Sequence, residues 1–204
     1  NLTKARELLA KNNLVLNDKG QLVKETIKTT KTKKGTTKSS TLGEPISISL
    51  ATANIDELKQ VAQLVAKDWA KLGIKVNLEF FEPNDLNQER IKPRRYEAIL
   101  FGQVLGHDYD LYPFWHSSQR LDPGLNISLY VNNKVDKLLE GIRESAKISD
   151  LNAEYQKVQT MIASDHPALF IYQPNFIYIL PAKLKGIELP TIASSADRFA
   201  QVHK

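Results

Sequence analysis

Residues 45–80 carry the pattern that most restricts what this chain can fold into. Apolar and polar side chains alternate over 45–53 and again over 74–80, which predicts two strands. Between them, apolar residues recur at helical spacing over 55–72, and Gly73 stands where a helix end favours a left-handed residue. Because both connections are short, the strands are predicted to be parallel and joined by a right-handed helical crossover.

Periodicity and turn residues predict the remaining elements. Asn54 is expected to cap the central helix, with Glu57 three residues later as in a capping box. The other predicted elements are helices over 2–11, 84–91, 132–147 and 150–164, a hairpin of 14–16 with 22–23, and strands over 96–102, 167–172 and 176–180. Residues 103–128 are predicted to form a long loop rich in aromatic residues and Asp. This order indicates an α/β fold with a mixed, mostly parallel sheet flanked by helices.

The positive charge of the chain is confined to one segment. The 204 residues include 28 Lys and Arg against 23 Asp and Glu, a formal net charge of +5. Residues 24–43 contain six Lys and one Glu, so the remaining residues carry no net charge. The segment has no aromatic residue, and we expect it to be an exposed, flexible Lys/Thr/Ser-rich loop. Nucleic acid is not an expected partner, since such domains spread basic residues and aromatics over a folded face.

Several chemistries are excluded by what the sequence lacks. The absence of Cys excludes disulfides, thiolate metal sites, iron–sulfur clusters and a thiol nucleophile. The Gly-x-Ser-x-Gly, Gly-x-Gly-x-x-Gly, phosphate-loop and His-Glu-x-x-His motifs are absent as well. Asp165-His166 lies at a predicted helix boundary, where Asp is an ordinary stop residue. The sequence therefore predicts neither an enzyme nor a bound cofactor.

Residues 102–119 are the one segment with a concentration of chemically useful side chains. They follow a predicted strand, and ligands of open α/β sheets bind in loops at the carboxyl ends of strands. Ten consecutive positions contain His107, Asp108, Tyr109, Asp110, Tyr112, Phe114, Trp115 and His116. Aromatic faces with a few carboxylates suit a site that buries an organic ligand and fixes one cationic group.

Three interpretations of this segment stay open on the residues alone. An aspartate could pair with the ammonium group of a ligand, a bond that strengthens when water is excluded. Alternatively His107, Asp108, Asp110 and His116 could ligate a divalent metal, in a receptor or in a metal-assisted hydrolase. The third interpretation is structural: the aromatic residues fill the edge of a core and the aspartates make turn bonds.

A series of short motifs gives the chain a family resemblance. Phe-Trp-His-Ser-Ser-Gln at 114–119 is followed by Asn126, by Tyr-x-Asn at 130–132 and by Val-Asp-x-Leu-Leu at 135–139. Lys-Ala-Arg-Glu-Leu-Leu at 4–9 and Leu-Gly-Ile-Lys-Val at 72–76 extend the match. In this order and spacing they resemble the family 5 extracytoplasmic solute-binding proteins, which are the dipeptide, oligopeptide and nickel receptors of ABC importers.

The resemblance implies a fold, partners and a location. Residues 1–204 would be the C-terminal lobe of a two-lobed, periplasmic-binding-protein-like (type II) receptor, with residues 24–43 as a flexible insertion. Its partners would be a peptide or another small organic ligand, the N-terminal lobe of the same parent chain and an ABC transporter permease. The receptor would be extracytoplasmic, a lipoprotein held at the membrane only through an anchor outside this segment. The alternative ligand is a metal or metal chelate of the nickel type.

The resemblance also implies roles for individual residues. In peptide receptors of this family an aspartate of this loop pairs with the α-amino group of the peptide, and Asp108 is the best match, with Asp110 as the alternate. Gln103 stands where the family often has Trp, so we expect a polar contact there. The other candidate ligand contacts are His107, Tyr109 and Trp115, the last two as apolar walls or loop anchors. For Trp115, packing into the core is an equally open interpretation.

Overall fold

The computed structural model describes residues 1–32, 35–103, 110–145 and 151–174, with 177, 179, 181 and 183; over 30–32 and 35–38 it describes the backbone alone. The chain divides into two compact units, Asn1–Phe101 and Gly102–Lys204. The first unit is built of six strands and three helices, with a π-helical turn over Leu86–Ile91. In chain order they are α1 (Leu2–Lys11), β1 (Leu14–Leu16), β2 (Leu22–Thr32), β3 (Gly35–Pro45), β4 (Ser47–Ala53), α2 (Asp56–Ala70), β5 (Lys75–Phe81), α3 (Pro83–Asp85) and β6 (Ala98–Leu100).

A parallel sheet in the order β5-β4-β6 forms the centre of this unit. It confirms the predicted strand–helix–strand crossover, with β4 and β5 in register from Ser47 opposite Lys75 to Ala53 opposite Phe81. Leu86, in the π-helical turn, packs with Ala51 and Ala53 in a buried cluster on β4. Thr52 is fully buried, and its hydroxyl donates to the Leu100 carbonyl oxygen at 2.9 Å, so this buried hydroxyl is paired.

The predicted cap of the central helix is wrong. Helix α2 begins at Asp56 after Ile55, and no side chain caps its first turn. The Asn54 side-chain amide instead donates to Glu82 Oε1 at 2.8 Å, and the Asn54 backbone N–H donates to the Phe81 carbonyl oxygen at 2.6 Å. Asn54 is therefore hydrogen-bonded to Phe81 and Glu82, at the end of β5, and does not cap α2. Two acidic residues in the first turn of α2 stabilise the positive end of the helix in place of a cap.

The prediction of a left-handed glycine at the end of α2 is confirmed. Gly73 has a φ of +80°, and its carbonyl oxygen accepts from the Leu22 backbone N–H at 2.8 Å. A Cβ at this position would lie 2.5 Å from Leu16 Cδ2 and 2.7 Å from the Gly20 carbonyl oxygen. Glycine is required here both by the backbone conformation and by the closeness of the β1–β2 turn.

The Lys/Thr/Ser-rich segment is not the loop that its composition predicts. Strands β2 and β3 pair antiparallel across it, from Glu25 opposite Leu42 to Thr32 opposite Gly35. Together with β1 they form a second sheet in the order β1-β2-β3. The composition misleads because the segment lacks bulky apolar residues, while threonine, which is frequent in it, is a residue type enriched in strands.

The described part of the second unit contains mainly helices. Its elements are α4 (Tyr112–Trp115), a 3₁₀ turn (Ser117–Gln119), α5 (Asn133–Glu144) and α6 (Leu151–Asp165). Its core is a buried cluster of Trp115, Tyr130, Val135, Leu139, Ile142, Val158 and Ile162. Asn132 caps helix α5: its side-chain oxygen accepts from the backbone N–H groups of the first turn.

The predicted strand over 167–172 is wrong, since no strand is formed there and the range pairs with no strand among the described residues. A strand needs the backbone of a neighbour to satisfy its N–H and C=O groups, and the described part of this unit holds no other strand. Leu169 and Phe170 are 70% and 76% exposed. Most of the second predicted strand, over 176–180, lies outside the described residues.

Candidate functional site

Asp110 lies at the end of the segment between β6 and α4, and a residue of α5 holds it there. Arg143 Nε donates to Asp110 Oδ2 at 3.1 Å, and Arg143 Nη2 makes a second short bond to the same oxygen. The other carboxylate oxygen, Oδ1, accepts from the Tyr112 backbone N–H at 3.0 Å. Partial burial raises the pKa of Asp110, but the bonds from Arg143 and Tyr112 and the arginine charge outweigh it, so the pKa lies below its ordinary value.

The Tyr112 ring contacts both the Arg143 guanidinium of this ion pair and the His116 ring. The guanidinium carbon of Arg143 lies 3.9 Å from the centroid of the Tyr112 ring. The Tyr112 ring also stacks on the His116 ring, with centroids 4.1 Å apart and planes 13° from parallel. Because a guanidinium over an aromatic face is attracted by the ring quadrupole, Arg143 is fixed both by its charge partner and by Tyr112.

His116 and Ser117 are bound to two acidic residues of α5. His116 is buried, with Nδ1 2.7 Å from Ser118 Oγ and Nε2 3.3 Å from Glu140 Oε1. The carboxylate of Asp136 accepts from the Ser117 backbone N–H at 2.9 Å and from its hydroxyl at 2.7 Å. The His-Ser-Ser motif therefore docks α4 and the 3₁₀ turn onto α5.

Asn126 is the buried centre of the loop that follows. Its side-chain amide donates to the carbonyl oxygens of His116 at 3.1 Å and Tyr130 at 3.0 Å. Its side-chain oxygen accepts from the Ser128 hydroxyl at 3.0 Å and from the Tyr130 backbone N–H at 3.1 Å. All four hydrogen-bonding positions of a fully buried amide are thus used, which fixes the path of residues 116–130.

A second polar cluster ties α6 to the start of α5. The Tyr130 hydroxyl donates to Asp165 Oδ2 at 2.5 Å, and the Asn132 amide donates to the same oxygen at 2.8 Å. Burial and the Asp165 carboxylate raise the pKa of Tyr130 to about 12. The same bonds from Tyr130 and Asn132 lower the pKa of Asp165. Asp165 thus has two structural partners, which account for its presence without a catalytic role.

The predicted site residues that the structure describes lie in different environments. Trp115 is 8% exposed in the core, edge-on to Tyr130 with centroids 6.3 Å apart. Gln103 is exposed, and Asp110 is paired with Arg143 as described above. His107, Asp108 and Tyr109 lie outside the described residues.

The metal interpretation has no geometric support in the part of the chain that the structure describes. Among the described residues no three His, Cys, Asp or Glu side chains are placed to hold a metal ion. Two of the four suggested ligands, Asp110 and His116, already have protein partners. The other two, His107 and Asp108, lie outside the described residues.

Among the described helices none is long and apolar enough to cross a bilayer.

The roles of the α5 residues that organise this loop were not predicted from the sequence. Asp136, Glu140 and Arg143 are spaced four and three residues apart, which puts them on one face of a helix. That spacing next to an aromatic, acidic loop was the available signal. Their partners could not be identified, because the loop of Asp110 and the helix of Arg143 are separated by more than thirty residues.

Comparison with known proteins places this arrangement in a family. The family described as "Bacterial extracellular solute-binding proteins, family 5 Middle" matches residues 1–122 of the chain. The chain belongs to family 5 of the bacterial extracellular solute-binding proteins. The resemblance noted in the sequence is thereby confirmed. The family is one of solute-binding proteins and is extracytoplasmic.

Two curated proteins of this kind are similar over a large part of the chain. The oligopeptide-binding protein AppA of Bacillus subtilis (strain 168) is 30% identical over 146 residues, 71% of this chain and 27% of AppA. The probable D,D-dipeptide-binding periplasmic protein DdpA of Escherichia coli (strain K12) is 25% identical over 118 residues, 57% of this chain and 23% of DdpA. The chain therefore spans about a quarter of the length of these relatives.

Solved structures of family 5 proteins share the fold. The structure of AppA from B. subtilis in complex with a nonapeptide has a TM-score of 0.67 and 27% identity, covering 82% of this chain and 30% of AppA. NikZ from Campylobacter jejuni in complex with Ni(L-His) has a TM-score of 0.64 at 18% identity, covering 82% and 31% of the two chains. These likenesses confirm the predicted α/β fold of the type II periplasmic-binding-protein kind.

Proposed function

We propose that this chain is the C-terminal lobe of an ABC-importer receptor that captures peptides without covalent chemistry. The proposal is supported by family membership and by AppA and DdpA, which are described as oligopeptide- and dipeptide-binding. In this proposal the ligand bridges this lobe and an N-terminal lobe of the same parent chain. Ligand binding favours the closed state, which a permease then recognises.

The observation that carries the residue assignment is the bond between Arg143 and Asp110. An aspartate already paired with a guanidinium attracts a ligand amine only weakly, because the two opposite charges of the pair nearly cancel at a distance. Of the two aspartates in the loop, Asp108 is therefore our choice as the counter-ion of a peptide α-amino group. The role proposed for Asp110 is to fix the end of the loop two residues beyond Asp108.

The other candidates take supporting roles. We assign Trp115 to anchoring the loop, since its ring is packed in the core of the second unit. Gln103 is exposed and free to make a polar ligand contact. His107 and Tyr109 flank Asp108 in sequence, and we propose that they form the walls around the ligand amine. For the intact receptor we propose a lipoprotein anchor outside this chain.

Calorimetry of the complete receptor with a library of short peptides tests the proposal. We expect at least one peptide to bind, and Asp108→Asn to weaken that binding at least tenfold, as expected when a charged partner in a closed site is neutralised. Asp110→Asn is the matched control, and it should lower stability while changing affinity much less. The nickel alternative is the opposite outcome: Ni²⁺ or a nickel chelate binds, a chelator abolishes that binding, and no peptide binds.

A further inference from the structure

The first unit contains a cavity on one face of its parallel sheet. Its volume is about 330 Å³, at the lower end of the range of ligand pockets. Ala51 of β4 and Glu79 of β5 are opposite each other in the register, so their side chains lie on the same face, as does Ser49 two residues earlier. Leu86 covers this face at Ala51 and Ala53, and the cavity extends from there toward the amino ends of the strands.

Charged side chains of both signs line this cavity. The acids are Glu79 and Glu97, and the bases are Arg90 and Arg95, with Tyr96 beside them. Because two acids face two arginines, the lining has no net charge. A simple ion is attracted by a lining of the opposite sign, whereas a balanced lining complements a ligand that carries both a positive and a negative group.

One arginine of the cavity has a buried donor without an acceptor. Arg90 Nη2 donates to Glu79 Oε2 at 3.0 Å, and the guanidinium carbon of Arg90 lies 4.7 Å from the centroid of the Phe81 ring. These two contacts fix the guanidinium in place. Its Nε is nevertheless buried and makes no hydrogen bond to the described part of the chain. Because buried donors are nearly always paired, we expect this N–H to have an acceptor that the chain does not supply.

Two further charged groups of the cavity have bonding positions to spare. Glu97 Oε2 accepts from the Ser49 backbone N–H at 2.6 Å and from the Ser49 hydroxyl at 2.9 Å, and these bonds lower the pKa of Glu97. Glu97 is therefore a carboxylate at neutral pH, and its other oxygen has no hydrogen bond to any described residue. The Arg95 guanidinium is exposed, and it too makes no hydrogen bond or ion pair with the described residues.

We propose that this cavity binds a small zwitterion of the α-amino acid class. The ligand carboxylate accepts from the Arg95 guanidinium and from the Arg90 Nε–H, and the ligand ammonium donates to Glu97. All three are charge-assisted hydrogen bonds, which are stronger than bonds between neutral groups. Ser49 and Ala51 are small, so the site suits a ligand with a short side chain. None of these residues belongs to the segment 102–119, and the proposal does not depend on which solute the receptor captures.

Titration of the complete receptor with L-alanine, followed by calorimetry and by the melting temperature, tests this inference. We expect L-alanine to bind and to raise the melting temperature, as any ligand of the folded state does. L-alaninamide lacks the carboxylate and N-acetyl-L-alanine lacks the ammonium, so each should bind at least tenfold more weakly. Arg95→Gln should weaken L-alanine binding at least tenfold. It should have little effect on L-alaninamide, because the group that Arg95 binds is already missing there.

Two controls separate the cavity from net charge and from the solute site. Lys92→Gln removes a positive charge from the same segment outside the cavity, and it should change L-alanine binding less than threefold. Arg95→Gln should keep the peptide affinity of the receptor and its melting temperature without L-alanine, since Arg95 has no bond to lose. Absence of L-alanine binding at millimolar concentration would overturn the proposal and would mean that water alone fills the cavity. Equal losses in Arg95→Gln and Lys92→Gln, or no loss in either, would overturn it too.

Discussion

Arg143 on α5 binds the carboxylate of Asp110 through two guanidinium nitrogens while lying 3.9 Å from the centre of the Tyr112 ring. The relationship connects a helix to the end of the segment in which we place ligand binding. It does so with a planar group that only arginine supplies.

Arg143→Gln should lower the free energy of unfolding by about 1–2 kcal/mol. The estimate combines a two-bond ion pair that is partly exposed with the loss of the cation–π contact to Tyr112. Urea unfolding measures the change. Lys137→Gln removes the same charge from an exposed position of α5 and should change stability by less than about 0.5 kcal/mol. Equal effects of the two substitutions would show that the pair contributes nothing specific.

Asn126→Asp should destabilise the protein by about 2–4 kcal/mol at neutral pH. A carboxylate cannot donate to the carbonyl oxygens of His116 and Tyr130, so both are left unpaired beside a buried charge. The same chemical change at Asn133, exposed in the first turn of α5, should be neutral or slightly stabilising because it places an acid at a helix start. Thermal and urea unfolding compare the two variants. A tolerated Asn126→Asp would contradict the proposed role of this amide.

Tyr130→Phe should change how stability depends on pH. The pKa of Asp165 is lowered in the folded state, so its contribution is present above its ordinary pKa and is lost as pH falls through the lower folded value. The pKa of Tyr130 is raised to about 12, so its contribution is present below the ordinary value of 10 and is lost as pH rises from there to about 12. The difference in unfolding free energy between wild type and Tyr130→Phe should therefore be largest near neutral pH and shrink on both sides.

Unfolding titrations of both proteins between pH 3 and 11 check this prediction within the range of reliable refolding. Asp165→Asn serves as the control, because it should remove the acidic part of the difference by eliminating the titrating carboxyl. A difference that stays constant from neutral to acidic pH would mean that the hydroxyl–carboxylate bond is not formed in solution.

Gly73→Ala should cost about 2–4 kcal/mol of stability. The substitution places a Cβ 2.5 Å from Leu16 Cδ2 at a φ of +80°, so the penalty has a conformational and a steric part. Gly102→Ala is the matched comparison, since nothing lies within 4 Å of the added Cβ and no positive φ is required. Urea midpoints of both variants measure the difference. A similar small effect at both positions would contradict the close approach of the β1–β2 turn to Gly73.

The parts of the fold that follow from local pattern were predictable. The crossover from β4 through α2 to β5 is encoded in alternation, helical periodicity and Gly73, all within about thirty-five residues. The pairing of β2 with β3 was not predictable from composition, since these strands are held by each other and not by an apolar face. The strand expected over 167–172 has the right residues and lacks a partner strand in the described part of the second unit.

For the candidate site, too, only the features that are local in sequence were predictable. Local motifs drew attention to Asp108, Asp110 and Trp115 because they are close in sequence. The contacts that distinguish them come from distant residues: Arg143 binds Asp110, and the core of α5 and α6 surrounds Trp115. A single sequence contains no signal for which of two nearby aspartates a distant arginine will neutralise.

Asp108 is the residue that we propose as the partner of a peptide α-amino group. The decisive measurement is calorimetry of the complete receptor with one bound peptide and its N-acetylated form, in wild type and Asp108→Asn. We predict that acetylation weakens wild-type binding at least tenfold, and that it has little further effect in the variant, because both changes remove the same charge pair. If the acetylated peptide binds wild type as tightly as the free peptide does, the central assignment is wrong.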